Sequence, residues 1–216
     1  MEIWSFFTGI IVQSIGFLTT EIGVSEALAV ILFTLLIRLI LMPINVSAMV
    51  NMYRNKKLIL AIKPELEQLK IIHKNEPAEI AKRSMALYKK HNIKLLDKSS
   101  IANITSQGIF GFGMFQALQQ IMFSSKFAWI SNIAKPDVLL ALLVGVITYA
   151  SMVLMPNSAE QTSTLLFMLP AIICIVTLIN FPSAIGLYWA TSSAASLLQS
   201  LAINKYFKTQ EKYQMS

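Results

Sequence analysis

The sequence predicts an all-α membrane protein. It should have five transmembrane helices, a cytoplasmic antiparallel helical hairpin between the first and second, and an N-terminal amphipathic helix at the interface. Three observations carry this reading. The chain has 216 residues, 55% of them hydrophobic and only 13% charged, and apolar runs near span length recur along it. Twelve of its eighteen Lys and Arg residues fall within residues 48–100, so the net charge of +7 marks a cytoplasmic loop rather than a nucleic-acid surface. Residues 25–46, SEALAVILFTLLIRLILMPINV, are apolar almost throughout, yet carry Arg38 near their middle.

Residues 1–24 come first. Ser5, Thr8, Gln13 and Ser14 interrupt the apolar residues, and Glu2 and Glu21 flank them. This pattern predicts an amphipathic helix lying at the outer interface, with a sixth span as the alternative. No Lys or Arg precedes the apolar residues and no clear cleavage site follows, so a secretory signal peptide is not expected.

The first span covers residues 25–47. A guanidinium at its centre costs about 2.5–3.5 kcal/mol on insertion scales unless it meets water or a partner. Arg38 could instead snorkel to an interface, but the polar edge near Ser47 is roughly 13 Å away along the helix. Thr34, Arg38 and Asn45 fall on one narrow stripe. A polar cavity inside the membrane, with Arg38 at its heart, is the expectation.

Residues 48–100 form the hairpin. Met52, Ile59 and Leu66, with Ile62 and Leu69, recur at heptad-like spacing between basic residues. Pro64 is placed to kink or restart this helix. Asn75 and Glu76 before Pro77 signal a second helix, with Ile80, Ser84, Leu87 and His91 on one stripe.

Residues 101–204 hold four more spans. Residues 101–122 are apolar but carry Asn103, Ser106, Gln107, Gln116, Gln119 and Gln120. Gly108, Gly111 and Gly113 there suit close helix packing rather than phosphate binding. Residues 137–155 are cleanly apolar. Residues 163–180 contain Pro170, which a membrane helix tolerates. Residues 182–204 form the last span after an abrupt turn at Phe181-Pro182, and a basic tail, residues 205–216, ends the chain.

The 48–100 segment and the tail together hold fifteen basic residues, while Lys126 and Lys135 face the other side. The positive-inside rule then sets the N-terminus outside and the C-terminus in the cytoplasm of a multi-pass plasma-membrane protein.

The fifth span is the second informative helix. Trp189, Ser192, Ser193, Ser196 and Ser200 fall within an arc of roughly 100°. Small hydroxyl residues often only pack or bond back to their own helix. Five polar-tipped residues on one face, in a protein that needs a polar home for Arg38, point to a lining. Gln107 and Gln116 of the second span would complete it. The expected groove is therefore Thr34, Arg38, Gln107, Gln116, Trp189, Ser192, Ser193 and Ser196, with the third and fourth spans as walls.

Enzyme chemistry lacks its residues. His73 and His91 both lie in the cytoplasmic segment, no Asp or Glu sits inside a span, and Cys174 is the only cysteine. No metal cluster, phosphate loop or cofactor motif is present.

Three motifs resemble the YidC/Oxa/Alb membrane protein insertases. The first is LFTLLIRLILMPINV, residues 32–46, with Arg38 and Pro43 in the family's arginine and proline positions. The second is MALYKKHNI, residues 85–93. The third is FPSAIGLYWATSSAASLLQ, residues 181–199. Order and spacing match over nearly the whole chain. The family's Asn-Pro and Gly-Cys-Leu-Pro-like features before the second span are replaced here by Lys94-Leu95 and residues 97–100, and the proline after Gln107 is missing. The chain resembles the short bacterial form without the large outer domain, and has no N-terminal lipid-acceptor cysteine.

The resemblance implies a non-enzymatic insertase and chaperone for nascent membrane proteins in the bacterial plasma membrane. It needs no cofactor. Its partners would be substrate chains, the ribosome, the Sec translocon and membrane lipids, with no specific nucleic acid. Two rivals stand beside it. An anion transporter or channel would use Arg38 as its site, although no obvious inverted repeat is present. A membrane scaffold would bind clients without inserting them.

Overall fold

The computed structural model describes residues 2–94, 97–155 and 164–215. Leu95 and Ser163, the latter the first residue of the expected fourth span, lie outside them. The named elements are all α-helices: α1 (Glu2–Thr20), α2 (Glu26–Ala61), α3 (Lys63–Ile72), α4 (Pro77–Lys90), α5 (Lys98–Gln120), α6 (Val138–Val153), α7 (Thr164–Leu178) and α8 (Ser183–Met215).

Local chemistry sets the helix ends. Ser25 caps α2 by accepting from Leu28 N, Asp97 caps α5 by accepting from Ser100 N at 3.0 Å, and Asp137 caps α6 by accepting from Leu140 N at 2.6 Å. Each cap satisfies an orphan amide of the first turn. Pro64 stands in the first turn of α3 and restarts the helix there, since its ring and missing N–H would break the α2 ladder. Pro77 opens α4 in the same way.

Two helices run on where the sequence suggested a change of segment. Among the described residues, α2 passes unbroken through position 47 to Ala61, and α8 continues through position 205 into the tail. Neither junction contains a Gly or Pro to stop it.

Among the described residues, α1 and α2 are long and apolar enough to cross a bilayer, while α6 and Met168–Leu178 of α7 are shorter apolar helices. Polar side chains such as Asn103, Gln107 and Gln116 dilute the hydropathy of α5. The first helix, expected at the interface, thus meets the length and composition of a crossing helix.

Paired contacts give the helix directions. Glu26 of α2 meets Ser124 just past α5, and Asn51 of α2 meets Asp97 before it, so α2 and α5 are antiparallel. Arg38 meets Ser192 and Tyr53 meets Phe207, so α2 and α8 are parallel. Ser183 bonds Lys135, and Asn204 bonds Leu154, so α6 and α8 are parallel too.

One core joins these helices, with Ile11 and Ile15 of α1, Val30 and Phe33 of α2, Met114 of α5, Val144 of α6, Cys174 of α7 and Ile185 of α8. A second, smaller core gathers Ile59, Ile62, Leu66 and Ile93 against Leu87 and Tyr88 and holds α3 on α4. Gly113 admits the Phe7 ring, and a Cβ at Gly145 would sit 2.5 Å from Ile175 Cγ1. Gly108, by contrast, faces open space. Leu36, Leu39 and Ile40 of α2, Leu139 and Val146 of α6, and Ile173 and Val176 of α7 are exposed, an outer apolar surface that suits hydrocarbon rather than water.

Candidate functional site

Arg38 projects from α2 toward α8. Its Nε donates to Ser192 Oγ at 2.9 Å, and Nη2 closes on the same oxygen. Among the described residues it forms no ion pair. One hydroxyl is therefore the protein's answer to a full charge, which leaves most of the five guanidinium donors for other acceptors.

Two adjoining cavities surround this pair. A narrow one of about 40 Å³ is lined by Thr34, Ile37, Arg38, Leu41, Gln107, Phe110, Met114, Tyr188 and Ser192. A wider one of about 360 Å³ shares Arg38, Gln107, Tyr188 and Ser192, and adds Gly111, Phe115, Thr148, Ser151, Trp189, Ser193 and Ser196. Met152 and Met155 of the α6 end and Pro170 of α7 also wall it.

The expected residues are thus brought together with one exception. Gln116 lines neither cavity and instead accepts from Trp4 Nε1 of α1, because α1 crosses α5 at that level and Trp4 also packs on Phe112. Thr34 reaches the narrow cavity, but its hydroxyl is spent on Val30 O at 2.7 Å. Ser196 Oγ likewise donates to Ser192 O at 3.1 Å. Ser193 pairs with Thr148 at 3.1 Å, and Gln107 Nε2 donates to Asn103 Oδ1 at 3.0 Å.

Three polar lining residues were missed from sequence. Tyr188 lies one turn before Ser192 on the same face, a spacing that could have flagged it. Thr148 and Ser151 are three apart on α6, too sparse to stand out in a span that is otherwise apolar.

At the end where α2 begins, a bonded network ties the connections together. The Glu26 carboxylate accepts from Ser124 N at 2.7 Å and Ser125 N at 2.8 Å. Ile133 N and Ala184 N continue the stitching with bonds to Ser125 O and Ile133 O, each at 3.0 Å. The opposite end is tied by side chains. Asn51 Nδ2 donates to Asp97 and Ser99, and Asn55 Nδ2 to Lys94 O. Burial works to raise the Asp97 carboxyl, but hydrogen bonds from Ser100, Ser99 and Asn51 prevail and hold it well below the usual carboxylate range. Among the described residues, no three His, Cys, Asp or Glu side chains gather as a metal site.

The family model described as 60Kd inner membrane protein matches residues 17–211. The chain is 30% identical over 190 residues to the membrane protein insertase YidC of Helicobacter pylori (strain ATCC 700392 / 26695), covering 85% of this chain and 34% of that one. It is 28% identical over 205 residues to the YidC insertase of Clostridium tetani, covering 92% and 90%. With that of Fusobacterium nucleatum it shares 30% over 209 residues, covering 93% and 98%. The chain thus spans about a third of the Helicobacter relative's length and nearly all of the other two.

Proposed function

The chain belongs to the family described as 60Kd inner membrane protein, and from that premise we propose that it is a membrane protein insertase. It acts in the bacterial plasma membrane by binding and release, without making or breaking covalent bonds. α2, α5, α6, α7 and α8 are the five spans, α1 lies at the outer interface, and α3 with α4 forms the cytoplasmic hairpin. The N-terminus is outside and the C-terminus cytoplasmic, as the charge distribution favours.

The observation that carries this reading is the single neutral partner of Arg38. A charge held among hydroxyls, with no carboxylate beside it among the described residues, is available to an acid that arrives. Moving a polar tail across about 30 Å of hydrocarbon leaves each unsatisfied group several kcal/mol worse off. A groove lined by Arg38, Gln107, Tyr188, Ser192, Ser193 and Ser196 offers replaceable hydrogen bonds along part of that path. Attraction between Arg38 and acidic residues of the tail is stronger there than in water. Trp189 adds a broad contact. The bonded network around Glu26 seals the outer end, so the tail enters from the cytoplasm and the substrate's apolar segment leaves sideways into lipid. The ribosome, the Sec translocon and anionic headgroups are the partners suited to the hairpin and basic tail.

The test is insertion of a short single-span substrate into liposomes that contain only this protein. Protected outer fragments that require the protein, and that disappear with Arg38→Ala, are expected. No insertion by well-folded protein would move the function to a scaffold, and solute flux would move it to a transporter.

A further inference from the structure

Asn45 lies seven residues past Arg38 on the polar stripe of α2, outside both cavities. It is 2% exposed, and among the described residues neither its amide nitrogen nor its carbonyl oxygen has a hydrogen-bond partner. The same holds for Ser200 Oγ, on a fully buried residue, and for Gln199 Oε1. Buried polar atoms in folded proteins are nearly always paired, so four orphans in one neighbourhood call for a ligand.

The register of α2 and α8 brings these side chains to one level. Arg38 and Ser192 are 154 positions apart, and so are Tyr53 and Phe207. Between those two anchors the same offset sets Asn45 beside Gln199. At 100° per residue, Asn45 points within about 20° of the direction of Arg38, and Gln199 and Ser200 within about 20° and 80° of that of Ser192. Asn45 and Gln199 thus project toward the seam between the helices, and Ser200 stands at its edge on the side of α6, within about 20° of the direction of Ser193.

We propose that Asn45, Gln199 and Ser200 hold a buried water molecule between α2 and α8. The chemistry of the set selects the ligand. Asn45 Nδ2 needs an acceptor, whereas Asn45 Oδ1 and Gln199 Oε1 need donors, and Ser200 takes either part. A cation would serve the oxygens and repel the amide hydrogens, and an anion would do the reverse. Water alone serves both, and two to four polar partners are what a buried water requires. The site lies roughly 10 Å along the helix from Arg38, and it pins the register that sets Ser192 against the guanidinium.

The experiment is a density map of the purified full chain in lipid, at a resolution where ordered water is visible. It is joined to thermal unfolding of Asn45→Leu, Ser200→Ala and the double variant. A peak within hydrogen-bonding distance of Asn45 and of Ser200 or Gln199 is expected. Each single substitution should lower the apparent Tm by a few degrees, and the double by no more than the larger single. Direct Asn45–Ser200 contact without a peak overturns the proposal, as does a peak that exchanges for a heavy monovalent cation or a higher Tm in Asn45→Leu. Should Asn45→Leu fail to fold, Ser200→Ala carries the thermal measurement, and an unchanged Tm there counts against the water. None of these readouts depends on insertion activity.

Discussion

The guanidinium of Arg38 rests on the hydroxyl of Ser192, with Nε 2.9 Å from Oγ, and among the described residues this serine is its only hydrogen-bond acceptor. The pair joins α2 to α8 across 154 residues of sequence. Its chemistry is lopsided, a full charge against a neutral hydroxyl, and the predictions about function start there.

Arg38→Ala should reduce insertion of substrates with acidic outer tails by roughly 10- to 100-fold, the range of a lost hydrogen bond to a charged group. Substrates with neutral tails should lose far less. Protease-protection assays with paired substrates measure the ratio. Equal losses for both tails would remove the electrostatic role.

Ser192→Ala removes the anchor and leaves the charge. The guanidinium becomes more mobile, so insertion should fall only a few-fold, because Gln107 and Tyr188 still line the cavity. Ser193→Ala breaks a bond to Thr148 instead, so it should affect thermal stability before insertion. The same two variants assayed for both properties separate these effects.

Asp97 links stability to pH. Its folded carboxyl is held below the ordinary range, so the unfolded chain binds the proton first as pH falls. The contribution is complete above the unfolded pKa of about 3.9 and is lost as pH drops through and below it. Asp97→Asn retains a capping side chain and should flatten this acid limb. Asp97→Ala should cost about 1 kcal/mol at neutral pH through the lost cap. Melting curves between neutral pH and pH 3 would read both.

Gly113→Ala places a methyl group against the Phe7 ring, and overpacking of this kind typically costs about 1–3 kcal/mol. Proteolysis should then cut α1 sooner, since α1 is held on α5 at this crossing. Gly108→Ala, facing open space, should be neutral or stabilising through helix propensity. Equal behaviour of the two alanines would mean that α1 adjusts freely.

Much of the site was legible in the sequence because its signals are properties of single helices. The cost of a charge among apolar residues singles out Arg38 without a partner in view, and the 3.6-residue period gathers Ser192, Ser193 and Ser196 on one face. Gln116 shows the limit of that logic. Nothing in α5 alone says that Trp4, more than a hundred positions earlier, takes up its carbonyl oxygen. Tyr188, Thr148 and Ser151 were hidden because sparse polar groups in an apolar helix matter only once another helix lies across from them.

The sequence by itself therefore determined that the chain is helical and built for a membrane, where its charge accumulates, and which faces of its helices are polar. Transfer energies and helical periodicity act within a segment and need no fold to be read. The tertiary structure decided which polar face meets which, with α2 parallel to α8 at one constant offset and antiparallel to α5. Those choices arise from packing between distant segments, as at Gly113 and Gly145, where the absence of a side chain on one helix admits a side chain from another. They determine that, among the described residues, Arg38 meets a hydroxyl and no acid.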